Sequence, residues 1–380
     1  FLMIRRPPRS THCISSAASD VYKRQGYDGS GNLLFEVNGN GTSTNYAYDA
    51  LGRLEQIENR APDDSLSSFH NYSYDSANQR TSDQSEDGTW TYGYDATGQL
   101  TSAQFASAVS GLADKSLSFE YDGAGNRTRT IEDGVETLYT VNALNQYTQV
   151  GGTSFAYDAD GNMTSRTDGS GTTTYAYDID NRLTEVRGAD GTILQFTYDV
   201  FGNRLSKTEN GQATEYLVDP FGLGNVIGEY DNGTLTGQFW HGHGLARSEV
   251  GGTQAYVDSD ALGSVTALTD ASGTAVNDYL YTPFGRTLIE VEGLTNDREF
   301  NGTLGVLEDA QDFITMRARS YDAELGRFIS EDPLWLNGDT ENLYRFGFNS
   351  PASFNDPSGE IVPLLVATAI GVPYFCLLYT

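Results

Sequence analysis

Cysteine is almost missing from this 380-residue chain: there are two, Cys13 and Cys376, each close to an end. Everything between them is therefore without a disulfide framework or a thiolate metal site, and must hold together by packing and hydrogen bonds. Basic residues are scarce, with 23 Lys and Arg against 52 Asp and Glu and a net charge of −29. That balance argues against nucleic acid or an anionic membrane surface as a partner. No apolar run reaches the roughly 20 residues a membrane-spanning helix needs; the best stretch, Ile361 to Phe375, is short and interrupted by Pro363 and Pro373. Sustained helical periodicity is absent from residues 26–360. Aromatics, by contrast, are plentiful: 24 Tyr and 18 Phe, many at alternating positions, are incompatible with the disorder that high acidity otherwise suggests.

The two ends stand apart from the rest. The opening run Phe1 to Gln25 reads as translated sequencing adapter, and Cys376 to Thr380 as its counterpart. A signal peptide fits the opening less well, because its basic stretch holds Pro7 and Pro8 and no apolar segment of the required length follows. The expected organisation is an adapter-derived leader over 1–25, repeats over 26–215, a second segment over 216–360, the start of a variable region over 361–375, and an adapter-derived end over 376–380.

The repeat is visible on a Tyr-Asp pair: Tyr27-Asp28, Tyr48-Asp49, Tyr74-Asp75, Tyr94-Asp95, Tyr121-Asp122, Tyr157-Asp158, Tyr177-Asp178 and Tyr198-Asp199, with a degenerate copy at Val141-Asn142. Two residues before the Tyr stands an aromatic such as Tyr46, Tyr72, Tyr92, Phe119, Phe155, Tyr175 or Phe196, and a spacing of two puts both rings on one strand face. Four residues after the Tyr only Gly or Asn occurs, the residue types that tolerate positive φ. The Asp in between suits an Asx turn, so each Tyr-Asp ends a strand and opens a turn. A second turn signal lies about halfway along each repeat, as in Asn38-Gly39, Asp87-Gly88, Asp133-Gly134, Asp190-Gly191 and Asn210-Gly211. Two turns per period make one repeat one hairpin, and stacked hairpins make a continuous antiparallel sheet with the rings as its core. The same aromatic array also suits glycan binding, and spacing does not separate the two.

Metal readings find little support. Asp158-Ala-Asp160-Gly-Asn162 starts like a calcium loop, but the twelfth position, where a bidentate Glu belongs, is Gly169. His241 and His243 are spaced to share a strand face, yet no third ligand accompanies them. No cofactor and no metal are expected.

Beyond Tyr216 the repeat gives way to longer motifs. Asp260-Ala-Leu-Gly-Ser, Leu268-Thr-Asp270 and Tyr279-Leu-Tyr281-Thr-Pro-Phe-Gly285 resemble the DxLGS…LTD…YxYxPFG block of bacterial Rhs/YD-repeat proteins. Arg317-Ala-Arg319-Ser-Tyr321-Asp322 through Gly326-Arg327-Phe328-Ile-Ser330-Glu-Asp332-Pro333 is similar to that family's RARYYDPxxGRFxSxDP, and Asn342-Leu-Tyr344, Asn349-Ser-Pro351 and Asp356-Pro357-Ser-Gly359 follow in order. With the repeats, the resemblance covers about residues 26–360. It implies an all-β fold in which hairpins wind into a curved sheet and hollow shell, a cocoon that is incomplete in a chain with so few repeats. It also implies a bacterial protein, secreted or at the cell surface, whose shell holds its own C-terminal effector polypeptide.

Within the family, two aspartates of DPxG-type motifs form a pair beside the Arg of RARYYD, and these map onto Asp332, Asp356 and Arg319. Two carboxyl groups brought together share a proton and serve as base and acid toward a water and a peptide bond. The resemblance thus assigns Asp332 and Asp356 as the acid/base pair of a single-turnover aspartic self-cleaving protease, with Arg319 a fixed cation. The expected bond is Glu360–Ile361. Two positions depart from the family pattern: Trp335 replaces the Gly of the first DPxG, and Glu360 stands where a Leu is usual. Read on chemistry alone, Asp-Pro dipeptides also start ordinary turns, and Arg319 also suits a structural ion pair. A non-cleaving surface or wall-associated protein that adheres to cell-surface glycans is the alternative, and a silent, degenerate fragment a third. Secretion machinery is a further expected partner.

Overall fold

A computed structural model describes residues 22–221, 224–309, 313–334 and 342–360. The expected adapter-derived leader lies outside the described residues as far as residue 21, and so do the segments 361–375 and 376–380. Tyr22–Tyr27 already forms the first strand.

Twenty-six strands, from β1 (Tyr22–Tyr27) to β26 (Thr287–Glu292), follow one another as an antiparallel meander in a single sheet. No α-helix occurs among the described residues. Each Tyr-Asp turn is built alike. The Asp28 N–H donates to the Asn32 carbonyl and Gly31 N–H donates to the Asp28 carbonyl, while Asp28 Oδ1 accepts from the N–H groups of Ser30 and Asn32. The same side-chain bonds recur at Asp49, Asp75, Asp95, Asp122, Asn142, Asp158, Asp178 and Asp199. The Gly or Asn four residues after each Tyr has positive φ, from +61° at Asn145 to +96° at Gly31. A type I turn closed by a left-handed residue produces a bulge, and the pairing register shifts at the Tyr, as at Ala47/Tyr48, Ser73/Tyr74 and Thr197/Tyr198.

That bulge aims the Tyr ring toward the preceding repeat. The hydroxyls of Tyr48, Tyr74, Tyr94, Tyr121 and Tyr198 donate to the carbonyls of Leu33, Leu54, Arg80, Leu100 and Leu183 at 2.6–2.9 Å. Each acceptor lies six residues after the previous repeat's Tyr, a position whose side chain is buried in every one of these repeats: Leu33, Leu54, Leu100 and Leu183, or else Arg80; the equivalent Met163, Arg127 and Arg204 are buried too. These arginines lie over aromatic rings, 4.2 Å from the Tyr72 centroid for Arg80 and 4.1 Å from Phe196 for Arg204.

The strip rolls until its two ends face each other. Trp90, Leu100, Phe105 and Phe119 pack with Phe284 and Leu280, and Leu54, Ile57 and Tyr72 pack with Ala261. Asn40 Nδ2 reaches the Asp270 carbonyl at 2.8 Å. The roll is joined by side chains, since no pairing between β1 and β26 is found among the described residues. The hairpin pattern runs past residue 216 without a break to Glu292.

The chain then turns back along the edge that carries the Tyr-Asp turns. A four-stranded sheet, β27 (Leu307–Asp309), β28 (Phe313–Met316), β29 (Arg319–Asp322) and β30 (Arg327–Phe328), fills the roll against Tyr147, Phe155, Tyr175 and Phe196. The following residues bind one turn after another. Asn349 Nδ2 donates to the Gly125 carbonyl, Asn342 Nδ2 to Asn126 Oδ1, and Tyr344 hydroxyl to the Gly161 carbonyl, each at 2.7 Å.

Candidate functional site

Arg319, Asp332 and Asp356 come from three separate stretches of chain, and the edge segment brings them together. Arg319 opens β29 directly after the tight turn that leaves β28, where Met316 pairs with Arg319. Asp332 follows β30 and is fixed by its N–H to the Leu343 carbonyl at 3.0 Å, with its Oδ1 accepting from the Leu334 N–H at 2.9 Å. Asp356 starts the turn that ends at Gly359, whose N–H donates back to the Asp356 carbonyl at 3.2 Å.

One guanidinium joins these pieces. Arg319 Nη2 donates to Asp332 Oδ2 at 3.1 Å and to Asp356 Oδ2 at 3.2 Å; Nη1 donates to the Leu343 carbonyl at 2.8 Å, and Nε to the carbonyl of Gly359. Its flat face lies 3.6 Å from the centre of the Phe328 ring. All three charged side chains are buried, at 4% exposure for Arg319, 4% for Asp332 and 1% for Asp356. Burial depresses the Arg319 guanidinium below its ordinary range, against the pull of the two aspartates. Burial likewise raises Asp356, with Asp332 adding to the rise and Arg319 and Ser358 opposing it.

Glu360 belongs to the same cluster. Its N–H lies 3.3 Å from Asp356 Oδ1 and 3.2 Å from Ser358 Oγ. Its half-buried carboxyl is raised by burial and by Asp332 and Asp356. Sequence reasoning placed Glu360 at a cleavage point but not among these charges. Ile361, the other half of the expected bond, and Trp335 lie outside the described residues. Gly359 and Ser358 were also missed as site residues, although Gly359 is readable as a turn glycine.

The other sequence candidates separate. The strand that carries His241 ends there, so the two histidines do not share a strand face as their spacing suggested. His241 Nε2 contacts the Val226 carbonyl at 3.2 Å, while exposed His243 contacts the Tyr27 hydroxyl at 3.1 Å. Asp158 spends both carboxylate oxygens on its own turn, through the N–H groups of Asp160 and Asn162 and the Asn162 side chain.

Residues 27–61, 157–193 and 177–214 match the RHS Repeat family, and residues 246–352 match the Teneurin YD-shell family. The solved TcdB2-TccC3 structure superposes with a TM-score of 0.73 at 20% identity, covering 89% of this chain and 20% of that one. The rolled strip of hairpins is therefore a YD-shell. Among curated proteins, the tRNA3(Ser)-specific nuclease WapA of Bacillus spizizenii is 31% identical over 263 residues, covering 66% of this chain and 11% of that protein. Double-stranded DNA deaminase toxin A of Burkholderia cenocepacia is 24% identical over 349 residues, covering 91% of this chain and 23% of that protein. The chain belongs to the Rhs/YD-repeat family, and it spans less than a quarter of the length of these relatives. Among the described residues no helix is long and apolar enough to cross a membrane.

Proposed function

We propose that this chain is the closing part of a secreted shell that holds a C-terminal effector polypeptide and cuts itself from it after Glu360. One relative is named for a tRNA nuclease activity and another for a DNA deaminase toxin. That two relatives with different named activities both match this chain is what a common carrier shell with exchangeable cargo would give. The observation that carries the cutting step is the reach of Arg319, which binds both buried aspartates through Nη2 and the Gly359 carbonyl through Nε. The backbone leading to the Glu360–Ile361 bond is thus anchored to the two carboxyl groups that would act on it.

The reaction consumes one water. The ionised aspartate of the pair takes a proton from that water as its oxygen bonds to the Glu360 carbonyl carbon, and the protonated aspartate gives its proton to the Ile361 nitrogen. The carbon–nitrogen bond breaks, leaving a carboxyl group on Glu360 and an amine on Ile361. Arg319 keeps the pair at its spacing and offers positive charge while the carbonyl oxygen becomes negative.

The test is intact mass of the full chain followed by a small inert domain, incubated from about pH 5 to about pH 8, a range that brackets ordinary acid–base catalysis. Two pieces meeting at Glu360–Ile361 are expected in the parent and one uncut chain in both Asp332→Asn and Asp356→Asn. A parent that melts cooperatively yet stays whole throughout overturns the reading in favour of a non-cleaving surface protein.

A further inference from the structure

The candidate site holds more negative charge than aspartic acid/base chemistry needs. Asp332 and Asp356 both bind one cation, Arg319, and among the described residues these three are the charged groups that act on the Glu360 carboxyl. The Glu360 backbone is not free to carry its carboxyl away. Its N–H lies against Asp356 Oδ1 and Ser358 Oγ, the preceding carbonyl is held by Arg319, and Arg317 holds the Pro357 carbonyl. Ala318 N–H adds a bond to the Ser358 carbonyl at 3.1 Å. The backbone of the residue whose own peptide bond is to be cut is thus fixed beside the groups that would cut it, and its half-buried carboxyl starts from that fixed point.

Resting on the proposed self-cleavage, we infer that Glu360 is a built-in brake: its carboxylate slows cutting of its own bond, and protonation of that carboxylate lifts the brake. The argument is electrostatic. Attack on the Glu360 carbonyl puts negative charge on that oxygen, a few bonds from the Glu360 carboxylate. A nearby like charge in a water-poor site opposes this build-up far more than it would in water. The same carboxylate also competes for Arg319, the cation best placed to offset the new charge. A neutral side chain does neither. Burial and the two aspartates raise Glu360's affinity for a proton, so the change falls above the usual carboxylate range. An effector would then stay attached at neutral pH and be released on mild acidification.

The measurement is the rate of appearance of the cut pieces, by intact mass, across the same pH range for the parent and for Glu360→Gln, which keeps the size and the backbone bonds but cannot ionise. The difference between the two is expected to be smallest at the acid end. Near neutral pH the Gln variant is expected to be faster by about tenfold or more, the scale of one displaced protonation equilibrium. Asp332→Asn added to Glu360→Gln is expected to stop all cutting, and matched thermal melts confirm that each variant is folded. Equal pH profiles for the parent and Glu360→Gln overturn the brake while leaving the self-cleavage reading intact. Folded chains that stay whole at every pH, with either residue at 360, overturn the self-cleavage reading itself.

Discussion

Gly359 shows how tightly the site depends on single atoms. Its φ is +69°, and a Cβ there would stand 2.3 Å from the Met316 carbonyl oxygen and 2.9 Å from the Arg319 nitrogen. No side chain fits, and the left-handed conformation adds strain of its own. Gly359→Ala is expected to lower stability by roughly 1–3 kcal/mol, read as a lower urea midpoint, and to slow cutting by moving the Gly359 carbonyl off Arg319. Ser358→Ala removes the bond to Asp356 Oδ1, at 2.9 Å, and the one from the Glu360 N–H, at 3.2 Å, and should cost about 1–2 kcal/mol. An unchanged midpoint in Gly359→Ala would mean that the turn does not rest against β28 and β29 as described. Asp332, Asp356 and Arg319 were legible because each sits in a local motif with a fixed order. Glu360's place among them, and the Leu343 carbonyl beneath Arg319, had no such signal. Both depend on which stretches of chain the edge segment brings side by side, and spacing along the sequence does not carry that information.

At the level of the hairpin, the turn was fully readable, because Asp followed by Gly or Asn at a set distance admits few conformations. The staple between repeats was not. Its acceptor is a backbone carbonyl, and the side chain at that position is Leu or Arg by turns, a chemically mixed set that hides a single structural role. The same Asx turn also recurs unannounced at Asp260, where no Tyr precedes it. The staple makes an internal comparison possible. Tyr121 donates to the Leu100 carbonyl at 2.9 Å, whereas the Tyr177 hydroxyl is buried without a hydrogen-bond partner among the described residues. Tyr121→Phe is expected to cost about 1 kcal/mol, and Tyr177→Phe to be neutral or slightly stabilising, because only the first removes a bond. Chemical denaturation of both variants checks the pair; equal losses would mean that the ring, not the hydroxyl, joins the repeats.

Over the whole molecule, the incomplete shell expected from so few repeats is what the strip forms, with β1 and β26 left unpaired to each other among the described residues. What the sequence did not disclose is the seam where the roll meets itself, since its contacts join residues some two hundred positions apart. That seam is rich in acid. Asp258 is 4% exposed, and burial with Glu86 and Glu36 across the seam pushes its carboxyl up to about 7; Asp87 is pushed up to about 6 by burial, Asp278 and Glu86. Beside them His70, 3.1 Å from Asp83, is raised to about 9 despite its burial, by Asp83 first among the nearby carboxylates. A carboxyl raised from 3.8 to about 7 binds its proton more tightly folded than unfolded, so stability falls as pH rises between those values and levels off above them. The imidazolium's contribution is complete below its ordinary 6.5 and is lost as pH rises toward about 9. The turn aspartates act in the opposite sense: Asp95, Asp178 and Asp199 are held below their ordinary range by their turn bonds, so their support is lost only in stronger acid, below about pH 4. The seam should therefore hold best on the acid side of neutrality and weaken toward about pH 9. Asp258→Asn removes the charge that would form there, and is expected to raise the melting temperature at about pH 8 while changing it little at about pH 5. Melting curves at both values decide the matter: the same shift at each would show that Asp258 acts through packing, and no shift at either would remove the seam from the account of stability.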